Sequence, residues 1–415
     1  MMELVFTANS PGEVSTWLAP VVRAVRARTP EARISVFLVP CAFATGAEEA
    51  VVRAMGGVDR VYSPAGYWRH ALTIPEVKGF DKGRGALLYL GGDPFHAAWL
   101  ARRLRLPALA YMERGSRFGR SFQEIFVPDE AARRRVVRRG VPEDRVRIVG
   151  DLMIDAVRPQ TGRSQFRAAL GLDDDKPVLA VFPGSRMYEI RQALPFLLRA
   201  VEIAAEGRRE LQCVVSLSPF VSPADLDVRP VPRLEGTRAK IVRDRERWRV
   251  VTERGLEVPA VHGNSHDVMQ AADLALTIPG SNTAEMAALG LPMVVALPLN
   301  LAETIPLPGI AHYLERLPWV GARWKRALVV RRAMLAPFVA WPNRKAGRAI
   351  VPEVKGFLRP EDVALEAARL LADGKARARM ARELREVMGP AGAAGTVAER
   401  LLWAARQAAG GGGGR

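Results

Sequence analysis

The sequence predicts an α/β protein made of two Rossmann-like, doubly wound parallel-sheet domains in tandem, facing across a cleft. Three observations carry this. Short, continuous apolar runs of strand length alternate with helical stretches, the pattern of a parallel sheet covered on both faces. The pattern stops at a polar stretch, "RPQTGRSQ" at 158–165, and then restarts. And 415 residues exceed one ordinary core and suit two domains of roughly 150–250 residues each. The expected bounds are 1–157 for the first domain and 158–388 for the second. A C-terminal helix over 389–409 is expected to pack back toward the first domain, and 410–415 to form a flexible tail.

Each element follows in order. "ELVFTA" is a short apolar strand, and 14–28 reads as a helix with Leu18, Val21, Val22 and Val25 on one face. "ARISVFLVP", "GALLYLGG", "LPALAYM" and "EIFVPD" are further strands, "EAARRRVVRRG" is a basic surface helix, and "RVRIVGD" is the last strand of the first domain. The second domain opens with "KPVLAVFPGS", a strand ending in a turn, followed by a helix over 187–206. "LQCVVSLS", "WRVVT" and "VPAVHG" are strands, "SHDVMQAA" is a helix, and "DLALTIPGS" and "LPMVVALP" are strands again. The Pro- and Arg-rich segment 219–249 reads as an irregular insertion, and three helical stretches close the chain.

Composition narrows the function classes. The formal charge of +17 fits attraction to nucleic acid, to an anionic membrane surface or to phosphorylated substrates; an Arg-rich background spread along the chain explains it equally well. Cys41 and Cys213 stand alone without metal spacing, which predicts a reduced, cytosolic compartment. The strand-like start predicts no cleavable leader. No apolar stretch reaches the about 18–20 residues that span a bilayer. His70, His262, His266 and His312 form no metal spacing with a carboxylate or Cys, so no metal site is expected.

Two strand–turn–helix junctions bear the chemistry. In "TIPGSNTAEMAALGLP" (277–292), a Pro-Gly-Ser-Asn-Thr turn follows a buried-looking run and opens an Ala-rich helix carrying Glu285. Free backbone N–H groups at such a junction attract an anion, although the Lys of a P-loop is missing. In "VFPGSRMYEI", Gly184 and Ser185 make the same turn with Arg186 immediately after, and Arg offers a fixed fork of donors to phosphate oxygens. Together the two turns suit a diphosphate; each alone is also a common helix cap.

The run "FPGSRMYEI", then "PGSNTAEMAALGLPMVV", then "WPNRKAGRAIVPEV" resembles the lipid A disaccharide synthase family in order and spacing. "ANSPGEVSTW" looks like that family's Gly-Glu-x-Ser-Gly-Asp loop, and "VGDLMIDAV" like its Gly-His-x-x-x-Asp segment. The resemblance covers nearly the whole chain. It implies the GT-B glycosyltransferase architecture, a UDP-sugar donor in the second domain, and no cofactor or metal. The donor side would then be Gly184, Ser185, Arg186, Ser281, Asn282, Thr283, Glu285 and Asn343, with amides and hydroxyls on the phosphates and Glu285 on ribose or sugar hydroxyls. Glu285 equally suits the helix dipole, and Asn343 a turn after Pro342.

The first domain departs from the family. Thr16 and Trp17 replace the Gly-Asp of the loop, leaving Gly12, Glu13 and Ser15. The family's "D-A-P-D-F-N" becomes "GGDPFHA", with Asp93 as the remaining carboxylate and His96 near it. Asp93 is therefore the expected general base and Glu13 the second carboxylate; a helix cap is the other reading of Asp93. Asp225 and Asp227 have the D-x-D spacing of a metal-holding motif but sit in the insertion and are discounted. Membrane contact is expected at Tyr67, Trp68 and Arg69, and at Trp319, Arg323, Trp324, Lys325 and Arg326, where basic residues interleave with aromatic ones; a basic surface helix packed on the protein by its apolar side is the other reading of the second stretch.

The sequence thus reads as a peripheral, metal-independent, inverting glycosyltransferase, cytoplasmic and on the inner face of the membrane. It would move an acylated glucosamine-type sugar from UDP to a lipid or glycolipid acceptor. Inversion, acylation and a homodimer are what the resemblance implies. A UDP-sugar epimerase or hydrolase on the same fold is the alternative, as is a non-catalytic basic membrane- or nucleic-acid-binding scaffold. No nucleic-acid recognition motif supports the last.

Overall fold

The structure is a computed structural model that describes residues 2–40, 46–64, 67, 83–244, 247–304 and 322–410; at 303–304, 322–325, 328 and 410 it describes the backbone alone. The chain divides into two compact units, Met1–Ala156 with Pro390–Arg415, and Val157–Gly389.

The first unit runs β1 (Glu3–Ala8), α1 (Pro11–Glu13), a π-helical stretch (Val14–Leu18), α2 (Ala19–Arg28), β2 (Arg33–Leu38), α3 (Glu48–Ala54), β3 (Arg60–Tyr62), β4 (Gly85–Tyr89), α4 (Pro94–Leu104), β5 (Ala108–Tyr111), β6 (Glu124–Val127), α5 (Glu130–Val137), β7 (Val146–Ile148) and α6 (Leu152–Ala156). Its sheet is parallel, in the order β3-β2-β1-β4-β5-β6-β7. Every residue of β1 is buried, as a central strand between helical layers requires. Even Glu3 is inside, where its carboxylate meets Arg33 and the Ser35 hydroxyl, both at 2.5 Å. The strand order reverses between β1 and β4, the switch point where such sheets bind ligands.

The first helix starts at Pro11 and widens into the π stretch, earlier than its apolar periodicity predicts. The cause is local. Ser15 Oγ donates to Pro11 O (2.7 Å) and Thr16 Oγ1 to Gly12 O (2.6 Å), and hydroxyls that bond back into a helix distort its ladder.

The second unit runs α7 (Arg163–Leu170), β8 (Val178–Phe182), α8 (Met187–Ala205), β9 (Gln212–Leu217), β10 (Ala239–Asp244), β11 (Arg247–Thr252), β12 (Glu257–His262), α9 (Ser265–Ala271), β13 (Leu274–Thr277), α10 (Asn282–Leu289), β14 (Met293–Pro298), α11 (Ala322–Leu335), α12 (Trp341–Ala346), β15 (Glu353–Gly356), α13 (Pro360–Ala372) and α14 (Gly374–Met388). Its sheet has the order β10-β11-β12-β9-β8-β13-β14-β15. The closing helix α15 (Ala393–Gly410) belongs to the first unit.

Two expectations are corrected here. The second sheet is mixed, because β11 runs antiparallel to both β10 and β12. And the segment 219–249 is not irregular throughout: it contributes β10 and the first residues of β11. It also docks on α8, where Thr237 N donates to Pro195 O (3.0 Å) and Thr237 Oγ1 to Glu202 Oε1 (3.1 Å). A β-carbon on Gly236 would lie 2.8 Å from the Pro195 backbone, so this approach needs glycine.

Candidate functional site

In the second unit the strand order reverses between β8 and β13, and both strands end there in one of the two turns singled out by sequence. The pairing of Thr277 with Phe182 sets the turns side by side. Thr277 Oγ1 donates to Phe182 O (3.2 Å), and a β-carbon on Gly184, whose φ is +110°, would lie 2.9 Å from Ile278 Cδ1. Gly184 is thus required twice, for its backbone conformation and for the closeness of the turns.

The α8 turn already holds an anion of the chain's own. Ser185 N and Arg186 N donate to Glu189 Oε2 at 3.0 and 3.2 Å, and Arg186 Nη1 pairs with Glu189 Oε1 at 2.6 Å. At the α10 turn, the amides of Ser281 and Asn282 have no hydrogen bond among the described residues. These are helix N-terminal donors of the kind that receive phosphate. Asn282 Nδ2 donates to Thr277 Oγ1 (2.7 Å), bracing the turn from within.

Glu285 is buried, and its Oε2 lies 3.2 Å from His266 Nε2. Arg158 N donates to His266 Nδ1 at 3.5 Å, which leaves the ring proton on Nε2 to face the carboxylate. Sequence reasoning missed both His266 and Glu189 as site residues, because each acts through a partner rather than through a motif.

Two donor-side expectations are corrected. The Thr283 side chain is fully buried, with Oγ1 donating to Gly280 O (2.8 Å) and accepting from Trp341 N (3.1 Å). Asn343 is fully buried as well. Its Nδ2 donates to Val351 O (2.8 Å) and Glu353 Oε1 (2.9 Å), and its Oδ1 accepts from Ile350 N (2.7 Å) and Val351 N (2.9 Å). That fills the capacity of a carboxamide, so Asn343 builds scaffold rather than contacting a donor.

The first unit repeats the cradle at its own switch point. Glu13 Oε2 accepts from Asn9 N (3.0 Å) and Ser10 N (3.2 Å), and Oε1 from Gly92 N (3.4 Å). Spacing and geometry match those of Glu189, but among the described residues no cation pairs with Glu13. Burial, only partly offset by the three amides, pushes its carboxyl up to about 7. A β-carbon on Gly91 would lie 2.1 Å from Glu13 Oε2, so the β4 end is shaped to admit this side chain. Tyr89 donates its hydroxyl to Gly92 O (2.7 Å) and fixes that loop. Ser15 is exposed, and Gly12 O is taken by Thr16.

Asp93 is exposed and caps α4, with Oδ1 accepting from Phe95 N (2.9 Å). His96 Nδ1 lies 2.8 Å from the Tyr67 hydroxyl. This corrects the placing of Tyr67 at a membrane, for its side chain is fully buried in the core of the first unit. Trp68, Arg69 and Trp319 lie outside the described residues, as do the side chains of Arg323, Trp324 and Lys325. Arg326 stacks over Phe357, 5.5 Å from its ring centre. Asp225 and Asp227 are exposed, and Asp227 pairs with Arg229 (2.8 Å). Among the described residues, no three His, Cys, Asp or Glu side chains cluster as a metal site would need.

A family model described as Lipid-A-disaccharide synthetase matches residues 143–228, the stretch that includes β8, the Pro183–Arg186 turn and α8. Lipid-A-disaccharide synthases of Anaeromyxobacter dehalogenans (strain 2CP-1) and Myxococcus xanthus (strain DK1622) are 32% and 30% identical to this chain over 252 and 260 residues, 60% and 62% of its length. The chain is a divergent relative of the lipid-A-disaccharide synthases. The matched stretch spans little over half of those relatives' own lengths, 55% and 56%. Among solved structures, a UDP-GlcNAc 2-epimerase from Neisseria meningitidis bound to UDP-GlcNAc is similar with a TM-score of 0.58 at 15% identity, over 97% of this chain and all of that one. At that identity the likeness carries the fold, which is of GT-B type.

Proposed function

We propose that this relative of the lipid-A-disaccharide synthases is itself a glycosyltransferase. It works at the inner face of the cytoplasmic membrane without metal or cofactor. It moves an acylated glucosamine-type sugar from UDP to a lipid-linked sugar acceptor, with inversion. The observation that carries the reading is the pair of adjoining anion-receiving turns at the β8–β13 switch point, one of them inside the family-matched segment.

The donor diphosphate takes the free amides of Ser281 and Asn282, and takes the place of the Glu189 carboxylate on Ser185 N and Arg186 N. Arg186 and the two helix N-termini then stabilise the charge that grows on the departing UDP. Glu285, oriented by His266, receives ribose or sugar hydroxyls. On the acceptor side Glu13 is the base, since a carboxyl near 7 is matched to proton abstraction at neutral pH. The acceptor hydroxyl gives its proton to Glu13, its oxygen bonds to the anomeric carbon, and the bond from that carbon to the phosphate oxygen breaks with its electron pair leaving on UDP.

Calorimetric titration of UDP, without added metal, into the wild type and Arg186→Ala tests the donor site. The expected result is a dissociation constant on the order of micromolar, weakened at least about tenfold in the variant. No binding by the wild type sinks the reading in favour of a non-catalytic basic scaffold. UDP release that requires a lipid-linked acceptor separates transfer from hydrolysis and epimerisation.

A further inference from the structure

We infer that β10 is a docking edge for a second copy of this chain, paired antiparallel about a two-fold axis at Val242. The strand ends the sheet of the second unit, four strands away from β8. Its inner partner is β11, in the register Lys240↔Val251, Val242↔Arg249 and Asp244↔Arg247. The start of the strand fixes where its backbone groups point. Arg238 O accepts from Glu253 N (2.9 Å), on the β11 side, and Ala239 N donates to Val228 O (3.0 Å), on the other. Backbone groups alternate between the two sides of a strand, so Ile241 and Arg243 point theirs outward. Beyond Val228, nothing among the described residues pairs with this outer edge.

The edge is complementary to itself in one register. With Val242 opposite its own copy, Ile241 of each chain faces Arg243 of the other, and both carry outward backbone groups. Two such pairs exchange hydrogen bonds, and the Val242 pair between them does not. Lys240 of each chain then stands opposite Asp244 of the other. Lys240, Val242 and Asp244 are exposed, Val242 by 38%. Neither charge has an ion-pair partner among the described residues, although Asp244 lies across from Arg247 in its own hairpin. The neighbouring registers are worse. A shift one way sets Arg243 directly against Arg243, two like charges. A shift the other way needs Ala239 N, which Val228 already holds, and sets Lys240 against Val242. In its own chain the Arg243 guanidinium lies 5.4 Å over the Trp248 ring, on the opposite face from the ion pairs. An apolar centre between complementary charges suits pairing, where charges of one sign would only protect the edge. This surface goes beyond the transfer reading and does not depend on it.

Sedimentation velocity of the full chain over roughly 1–100 μM reads the association. The contact is short, so a dissociation constant on the order of 10 μM is expected of the wild type. Lys240→Glu and Asp244→Lys each set like charges opposite one another twice, and should weaken the dimer about tenfold or more. Lys240→Glu/Asp244→Lys reverses both pairs and should restore it. The replaced side chains are exposed, so unfolding midpoints should stay near the wild type's. Cysteine linking tests the register. The α-carbons of a non-hydrogen-bonded pair lie about 4.5 Å apart, within reach of a disulfide. Oxidation should therefore link Val242→Cys chains in pairs. Lys240→Cys chains, and the wild type with Cys41 and Cys213, should stay unlinked. A wild type that is monomeric throughout overturns the proposal and leaves Lys240 and Arg243 as charges that keep the edge from pairing. So does a dimer as tight in both single variants as in the wild type, a double variant as weak as the singles, or Lys240→Cys linking as fast as Val242→Cys.

Discussion

Glu13 and Glu189 occupy matching cradles, each taking two amides from the turn before its helix, yet among the described residues only Glu189 pairs with an arginine. The unneutralised member bears the desolvation and titrates at about 7 instead of 4.5. Below pH about 4.5 the folded and unfolded chains both hold this proton. Between there and about 7 the folded chain keeps a proton that the unfolded chain releases, so stability falls as pH rises through the window. Above about 7 the loss is complete, on the order of 3 kcal/mol at most. Glu13→Gln should therefore melt close to the wild type at pH 5 and above it at pH 8. Transfer activity should rise with pH toward the deprotonated base and fall about 100-fold or more in the variant. A wild-type melting profile unchanged by the substitution would remove Glu13 from this role. Among single residues, the sequence made Glu13 and Arg186 visible through the turns around them. Tyr67 was misread, because an aromatic beside Arg69 and His70 looks interfacial until its partner His96, far along the chain, is seen.

At the scale of elements, Asn343 is a clamp between α12 and β15. One carboxamide joins the helix to Ile350, Val351 and Glu353 through four hydrogen bonds. Asn343→Ala leaves these groups buried without that partner and should cost about 3 kcal/mol or more, read from denaturant unfolding. UDP affinity of the folded variant should stay within about twofold, since such a change is below the roughly 1 kcal/mol of a lost hydrogen bond. A large loss of UDP affinity without a loss of stability would return Asn343 to the donor. The central parallel strands were legible because burial on both faces leaves continuous apolar runs such as "VLAVF" and "LALT". Strand β10, "AKIVRD", lies at the sheet edge and is mostly exposed, so it carries no such run. Strand β15, "EVKG", is half-buried at the opposite edge and carries no such run either. The π stretch after Glu13 depends on where two hydroxyls turn, and apolar periodicity does not record that.

For the molecule as a whole, the repeated strand–helix pattern made two doubly wound units readable, because each has its own central buried strands. Their independence can be tested through α15, which comes last in the chain but belongs to the first unit. Val397, Ala398, Leu401, Leu402 and Ala405 are buried on it, against α2 and β4 among other elements. Its start is tied to Asp155 by Gly392 N and Ala394 N, both at 2.7 Å, and its middle to Glu124 by Arg400 at 2.9 Å. Burial of Val397, Leu401 and Leu402 alone is worth roughly 5–8 kcal/mol, comparable to the roughly 5–15 kcal/mol that holds an entire domain together. A chain ending at Gly389 should thus lose the cooperative melting of the first unit. The second unit contains both anion-receiving turns and α8 to α14, so it should fold and still bind UDP, within a few-fold of the full chain. Circular dichroism melting and UDP calorimetry on this truncation check the two halves separately. Unaltered melting would mean that α15 contributes little to the first unit. Loss of UDP binding by a folded second unit would mean that the donor needs groups beyond the β8–β13 turns.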